Sequence, residues 1–184
     1  MTSAALSGKR VAILVAEGFE QIEMTQPRDA LDAAGAKTTL VAPRGGTVKA
    51  ARHGEPGDDF SVDVALAQTQ PEDYDALLLP GGVRNPDLLR TIPEAVAFVR
   101  AFVDAKKPIA AICHGPWTLV EADAVRGKTL TSWPSLRTDI RNAGGRWEDR
   151  EVVKDGLLVT SRKPDDIPAF NRATIELFSS SVYA

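Results

Sequence analysis

The chain has 184 residues, 43% hydrophobic and 26% charged, with 22 basic and 25 acidic side chains and a formal net charge of −3. These proportions exclude disorder and collagen-like repeats, and the slight acidity gives no electrostatic reason to expect nucleic-acid binding. The single cysteine permits no internal disulfide, the two histidines leave no room for a Cys/His zinc site, and no apolar run approaches the ~20 residues of a membrane-spanning helix. The expectation is a cytoplasmic protein of one domain over residues 1–184, needing no cofactor and no metal. Residues 1–8, small and polar without a secretory signal, are expected to form a flexible N-terminus.

In chain order, residues 10–16 (RVAILVA) form a short β-branched run that predicts a buried strand. Residues 19–34 carry apolar positions at helical spacing and stop at Gly35, with Pro27 inside predicting a kink or a late helix start. A second strand is predicted over 37–42, a loop or irregular hairpin over the Gly- and Pro-rich 43–59, and a half-exposed strand over 60–66. The alternation then resumes. Residues 75–79 (DALLL) run straight into Pro80-Gly81-Gly82, Asn85-Pro86 has the look of an N-cap followed by a first helical residue, and 93–106 is an amphipathic helix. The strand 108–112 leads into Cys113-His114-Gly115-Pro116 and a short helix to about Ala124. A brief strand over 128–131, a helix over 135–143, a hairpin over 151–161 turning at Asp155-Gly156, and a closing helix over 164–179 complete the chain.

Strands apolar on both faces and alternating with helices predict a mainly parallel sheet covered by helices on both sides, an α/β sandwich of three layers. Ligands in such sheets bind outside the carboxyl ends of the strands. Three punctuated loops fall at that edge: Glu17-Gly18, Pro80-Gly81-Gly82 and Cys113-His114-Gly115.

Cys113 ends a strand and precedes a helix, with small residues two before and two after it (Ala111, Gly115), which is the shape of a nucleophile elbow. A helix N-terminus aimed at the sulfur and an adjacent histidine favour the thiolate. A lone cysteine is ordinarily a small buried hydrophobe, but His114 and the strand–helix junction point to chemistry instead. Gly81-Gly82 is either an ordinary tight turn or, with the His114 N–H, an oxyanion hole beside the sulfur. Of Glu17, Glu20 and Glu23, at least two are expected to serve structure; a carboxyl aimed at a thiolate would stay protonated and donate to it. His53 is expected on a solvated basic surface. Trp117 is placed either at the site mouth or in the core, and Trp133 and Trp147 are expected to be packing residues.

Taken together, Glu20-Gln21-Ile22-Glu23, Leu79-Pro80-Gly81-Gly82 and Ala110-Ala111-Ile112-Cys113-His114-Gly115-Pro116 resemble the ThiJ/PfpI family of the class I glutamine-amidotransferase-like superfamily. The likeness extends from about Lys9 to Phe178. It implies a flavodoxin-like sandwich, a nucleophilic Cys113, and Glu23 as the carboxyl beside the sulfur. The resemblance further implies a homodimer or larger homo-oligomer in which His114 is oriented by an acidic residue of a neighbouring subunit, at the position of Asp87. Some members carry Glu at that position.

The site set that follows is Cys113, His114, Asp87 and Glu23 as catalytic groups, Gly82 and His114 as oxyanion-hole donors, and Gly81 and Trp117 as substrate-binding residues. Two function classes follow. One is a cysteine hydrolase acting on peptide bonds or, as the lack of a long cleft favours, on small α-oxoaldehydes and their adducts. The other is a redox sensor or protective holdase in which Cys113 is oxidised.

Overall fold

The computed structural model describes residues 4–180. The strand β1 (Arg10–Leu14) leads through Glu17-Gly18 into the two-residue β2 (Phe19–Glu20) and the helix α1 (Gln21–Ala33), and β3 (Lys37–Ala42) returns parallel to β1. The hairpin of β4 (Thr47–Arg52) and β5 (Glu55–Ser61) comes next, followed by β6 (Val64–Ala65). The centre is built from β7 (Ala76–Leu79), α2 (Arg84–Leu89), α3 (Pro93–Asp104), β8 (Ile109–Ile112) and α4 (Pro116–Glu121). A small parallel pair, β9 (Thr129–Leu130) and β10 (Arg146–Trp147), flanks α5 (Arg137–Asn142), and β11 (Val152–Asp155), β12 (Leu158–Ser161) and α6 (Ile167–Ser180) close the chain.

The main sheet has seven strands in the order β11-β12-β8-β7-β1-β3-β6, all parallel except the edge strand β11. Period-two alternation divides its side chains between two cores. Ala12 and Leu14 of β1, Leu77 and Leu79 of β7, and Ile109 and Ala111 of β8 face the layer of α3, α4 and α5, where Phe98, Phe102, Leu119 and Ile140 are buried. Val11, Ile13, Ala76, Leu78, Ala110 and Ile112 face the other layer, where α1 and α6 supply Met24, Leu31, Phe170 and Phe178. Burying each such large side chain is worth about 1.5–3 kcal/mol, so two helical layers on one sheet are what these sequences stabilise. This is the expected flavodoxin-like sandwich. The chain leaves β1 towards β3 on one side and comes back to β7 on the other, so the carboxyl ends of β1 and β7 flank the topological switch point.

Several elements depart from expectation. Phe19 and Glu20 pair with Ala50 and Ala51 as a strand, α1 starts at Gln21, and Pro27 lies buried within the helix. Its missing N–H removes the ladder bond to the carbonyl of Glu23 rather than setting the helix start. The strand expected over 60–66 is broken at Asp63, whose carboxylate accepts the Leu40 N–H at 2.7 Å and pairs with Arg28 at 2.9 Å, so the chain crosses from the hairpin to the sheet there. The hairpin near Asp155 forms with Gly156-Leu157 as its loop, one residue later than expected.

The described part of the expected N-terminal segment, residues 4–8, packs on the domain through Leu6. Residues 1–3 lie outside the described residues, but Leu6 is fully buried and its N–H donates to the Ala34 carbonyl at 2.8 Å.

Ile13 lies on the central strand with no exposure. Ile13→Ala is expected to lower unfolding free energy by about 2–5 kcal/mol in urea titrations. Leu157→Ala, at the 37%-exposed hairpin tip, is expected to change it by less than about 0.5 kcal/mol.

Candidate active site

Three loops meet at the switch point, and one buried side chain ties two of them together. Asn85 accepts the Ala16 N–H at 2.7 Å and donates to the carbonyls of Pro80 and Gly81, each at 3.0 Å. It is therefore not the N-cap that its place before Pro86 suggested: α2 begins at Arg84, and Asn85 sits inside the first turn with its amide spent on the loops after β1 and β7. Close backbone approach requires glycine here. A Cβ on Gly81 would fall against Glu23 Oε2 and 2.7 Å from Cys113 Cβ, and one on Gly115 would lie 2.5 Å from the Leu79 carbonyl.

Cys113 takes the left-handed region, φ 61°, which a non-glycine residue adopts only when its surroundings impose it. Its N–H donates to the Ser161 carbonyl at 3.0 Å, and its carbonyl accepts the Trp133 N–H at 2.8 Å, so strands and loop on both sides pin the turn. The sulfur lies 3.2 Å from His114 Nδ1. The backbone N–H groups of His114 and Gly82 point at it, and the Glu23 carboxyl lies beside it. One Glu23 oxygen accepts the Gly81 N–H at 2.9 Å; the other, Oε1, is buried and reaches no partner with full hydrogen-bond geometry.

Burial pushes the Glu23 carboxyl up to about 8, with its hydrogen bond to Cys113 acting in the opposite direction. Burial likewise pushes the Cys113 thiol up, the Glu23 charge adds to this, and the His114 and Gly82 N–H groups pull the other way. α4 begins with Pro116, which has no N–H, and spans only six residues, so the N–H groups that favour the thiolate are those of His114 and Gly82 rather than a long helix N-terminus. Two buried acids in contact cannot both ionise, so at neutral pH they hold at least one proton between them. His114, also buried, is pushed down to about 4 and is neutral at physiological pH.

Five of the residues singled out in the sequence, Cys113, His114, Glu23, Gly82 and Asp87, line one cavity of about 670 Å³. Two others do not fit their expected roles. The Gly81 N–H is already given to Glu23, so it is not free for a substrate. Trp117 lies off the cavity, donating its indole N–H to Asp139 at 2.8 Å beneath the Arg90 guanidinium. Trp133, expected to be a packing residue, takes the place at the mouth, 39% exposed and stacked on the His114 ring at a centroid distance of 5.9 Å.

Glu17 and Glu20 are structural, as expected for two of the three. They accept the backbone N–H groups of Lys49 and His53 and so tie the β4–β5 hairpin to the start of α1. His53 is exposed, as expected, and stands on the rim of the cavity. Asp87 is exposed on the cavity rim, and within the subunit the hydrogen-bonding neighbour of His114 Nε2 is Ser135 Oγ, at 3.4 Å. No group of three or more His, Cys, Asp or Glu side chains among the described residues could hold a metal ion. None of the described helices is long and apolar enough to cross a membrane.

A parallel α/β sandwich with a strained cysteine after a central strand, a histidine next to it and a buried carboxyl against it defines a class of cysteine-elbow proteins. The chain belongs to the DJ-1/PfpI family, whose model matches residues 9–177. It is 43% identical over 169 residues to the Bacillus subtilis protein named "Putative cysteine protease YraA", covering 92% of this chain and 98% of that one. It is 41% identical over 173 residues to protein/nucleic acid deglycase 2 of Escherichia coli, covering 94% of this chain and 99% of the relative. Among solved structures, Drosophila melanogaster DJ-1beta superposes with a TM-score of 0.84 at 31% identity, covering 94% of this chain and 91% of that chain.

The ionisation of Glu23 couples to stability. A carboxyl raised from 4.5 to about 8 on folding stabilises the native state fully below its unfolded value, and that contribution is lost as pH rises through 8. The neutral His114 acts oppositely, but its contribution is complete above its unfolded value of 6.5. Urea titrations between pH 6.5 and 8.5 are therefore expected to show wild-type stability falling with pH, while Glu23→Gln, which cannot ionise, shows a flatter line.

Proposed function

We propose that the protein is a cysteine hydrolase in which Cys113 attacks small reactive carbonyl compounds, α-oxoaldehydes and their adducts on amines and thiols, with peptide bonds as the second substrate class. The observation that carries this is the convergence on one sulfur of a neutral imidazole nitrogen at 3.2 Å, two backbone N–H groups and a buried carboxyl, at the floor of a cavity of about 670 Å³. That volume suits a small molecule, for which cavities run roughly 300–1,000 Å³, better than a polypeptide. The relatives named as a protease and as a deglycase support both substrate classes within the family.

In the proposed step, the Sγ–H proton passes to His114 Nδ1 as sulfur bonds to the carbonyl carbon. The carbonyl π bond breaks towards oxygen, and the N–H groups of Gly82 and His114 are the donors nearest to hold the developing charge. That oxygen then takes the proton from His114 or from Glu23, which is neutral below pH 8 and loses a proton at modest cost. For a peptide or amide adduct the oxygen instead re-forms the carbonyl, the C–N bond breaks and the amine leaves with the proton held by His114; for an α-oxoaldehyde the hydrogen on the hemithioacetal carbon moves as a proton to the adjacent carbonyl carbon. Both routes leave a thioester, which water attacks, breaking the C–S bond to release the acid and the Cys113 thiol. A free cysteine that has to stay reduced suits the cytoplasm.

The same carboxyl favours a second reading, a redox sensor, because a protonated Glu23 can donate to an oxidised sulfur and hold the sulfinate. Methylglyoxal consumption and peptide cleavage, measured side by side on wild type and Cys113→Ser, decide between them. Loss of carbonyl consumption in the variant is the expected result. A wild type that consumes neither substrate but accumulates a stable Cys113 sulfinate under mild peroxide would be the sensor.

The proposal extends to a homodimer, or a larger homo-oligomer, with a shared site. Asp87 is exposed on the cavity rim, placed where a second copy could meet it. Inactive Cys113→Ser and inactive Asp87→Ala, denatured and refolded together, are expected to regain roughly a quarter of wild-type activity, since half of randomly formed dimers are hybrids with one intact site of two. A mixture that assembles and stays inactive removes the shared site.

A further inference from the structure

His114 needs a group to hold its outer nitrogen, and the subunit supplies one that the Cys-His-Gly-Pro elbow does not announce. Ser135 lies in the single turn Pro134–Leu136 that precedes α5. Three contacts set that turn. The Trp133 N–H donates to the Cys113 carbonyl at 2.8 Å, Leu136 is fully buried, and the Ser132 hydroxyl donates to the Trp133 carbonyl while accepting the Trp147 indole N–H. The turn is therefore tied to the nucleophile's own backbone, and Ser135 Oγ comes to 3.4 Å from His114 Nε2. The Trp133 indole stacks on the imidazole face and limits its rotation. The distance is long for a hydrogen bond, as catalytic contacts often are before substrate arrives.

We propose that Ser135 is a positioning residue, whose hydroxyl holds His114 Nε2 so that Nδ1 faces Sγ and which relays a proton between the imidazole and the cavity. In the thiol form, S–H donates to Nδ1 and Nε2–H donates to Ser135 Oγ. When the thiol ionises, the Sγ proton moves to Nδ1, the Nε2 proton moves to Oγ, and the hydroxyl's own proton leaves to water. The result is a thiolate, a neutral imidazole of the other tautomer, an intact serine and one proton in solvent. A hydroxyl can do this because it both accepts and donates, whereas a carboxylate facing Nε2 only accepts and would favour the imidazolium. Burial, which pushes His114 down to about 4, works against that imidazolium. The charged and titratable groups around the imidazole are Cys113 beside Nδ1, Glu23 beside the sulfur and, along the open cavity, Glu17, Glu20, Lys49, His53, Glu55, Arg84 and Asp87.

The inference rests on the Cys113–His114 pairing of the proposed function, so its test is chosen to need no substrate. The rate of Cys113 alkylation by iodoacetamide at neutral pH is measured for wild type, Ser135→Ala and Ser135→Thr, with urea titrations to confirm equal folding. Ser135→Ala is expected to slow alkylation about ten-fold, a small part of the roughly 10²–10⁴ that a positioned base contributes, and Ser135→Thr, which keeps the hydroxyl, to restore most of it. Because the chain has two histidines, the ring-nitrogen NMR signals of His114 are separable from those of His53 and should shift in Ser135→Ala alone. Alkylation and ring signals unchanged in Ser135→Ala, or a slowed rate that Thr fails to restore, would overturn the proposal. Failure of the methylglyoxal and peptide assays with these effects intact would instead remove the hydrolase reading and leave Ser135 in place.

Discussion

The site depends on a buried carboxyl held against a buried thiol. Glu23 is fully enclosed, accepts one backbone N–H from Gly81, and keeps its second oxygen without a well-formed partner beside Cys113. An ionised carboxylate there would forfeit its hydration without compensation, so the environment favours the neutral acid, and the neutral acid is the form that can give a proton to sulfur or to an oxygen bound to it. The contact sets the demands on the backbone around it. Gly81 has to be glycine to let the carboxyl in, and the turn after β8 has to put Cys113 into the left-handed region to bring its sulfur round.

That strain has identifiable sources of support. Asn85 stitches the loops after β1 and β7 with three hydrogen bonds, and Ser161 and Trp133 hold the two backbone polar groups of Cys113. Left-handed backbone at a non-glycine residue costs on the order of 1–3 kcal/mol, an amount that two central strands and their buried partners can offset. The cavity wall is completed by the β4–β5 hairpin, which Glu17 and Glu20 fasten through the Lys49 and His53 N–H groups. Acidic residues at a helix start thus serve as ties between layers as well as complements to the dipole.

The two proposals for the imidazole differ in where its partner comes from. Ser135 belongs to the same subunit and is placed by a turn anchored to the Cys113 carbonyl. Asp87 stands exposed on the rim, where its carboxylate is open to a second copy. A hydroxyl supports a proton relay through neutral imidazole, and an acid supports a charged one, so the partner decides which protonation states the site visits.

Local pattern alone determined the sandwich, because the continuous apolar runs in residues 11–14, 76–79 and 109–112 and the loops that end those strands are properties of neighbouring residues. It also located Cys113 and His114, whose pairing is a matter of adjacency, and the family motif added Glu23. Tertiary structure decided the rest. Nothing local distinguishes Trp117 from Trp133, since which indole meets His114 depends on how the chain brings Trp133, 20 residues after Cys113, back to the Cys113 carbonyl. Asn85 before Pro86 has the pattern of a cap and acts as a strut, because its amide finds partners 69 and 5 residues away. The electrostatics of the sulfur were likewise beyond local reasoning: burial and a carboxyl brought from 90 residues earlier in the chain push the thiol up while two backbone N–H groups pull the other way, and desolvation is a property of the packed molecule rather than of the chain around Cys113.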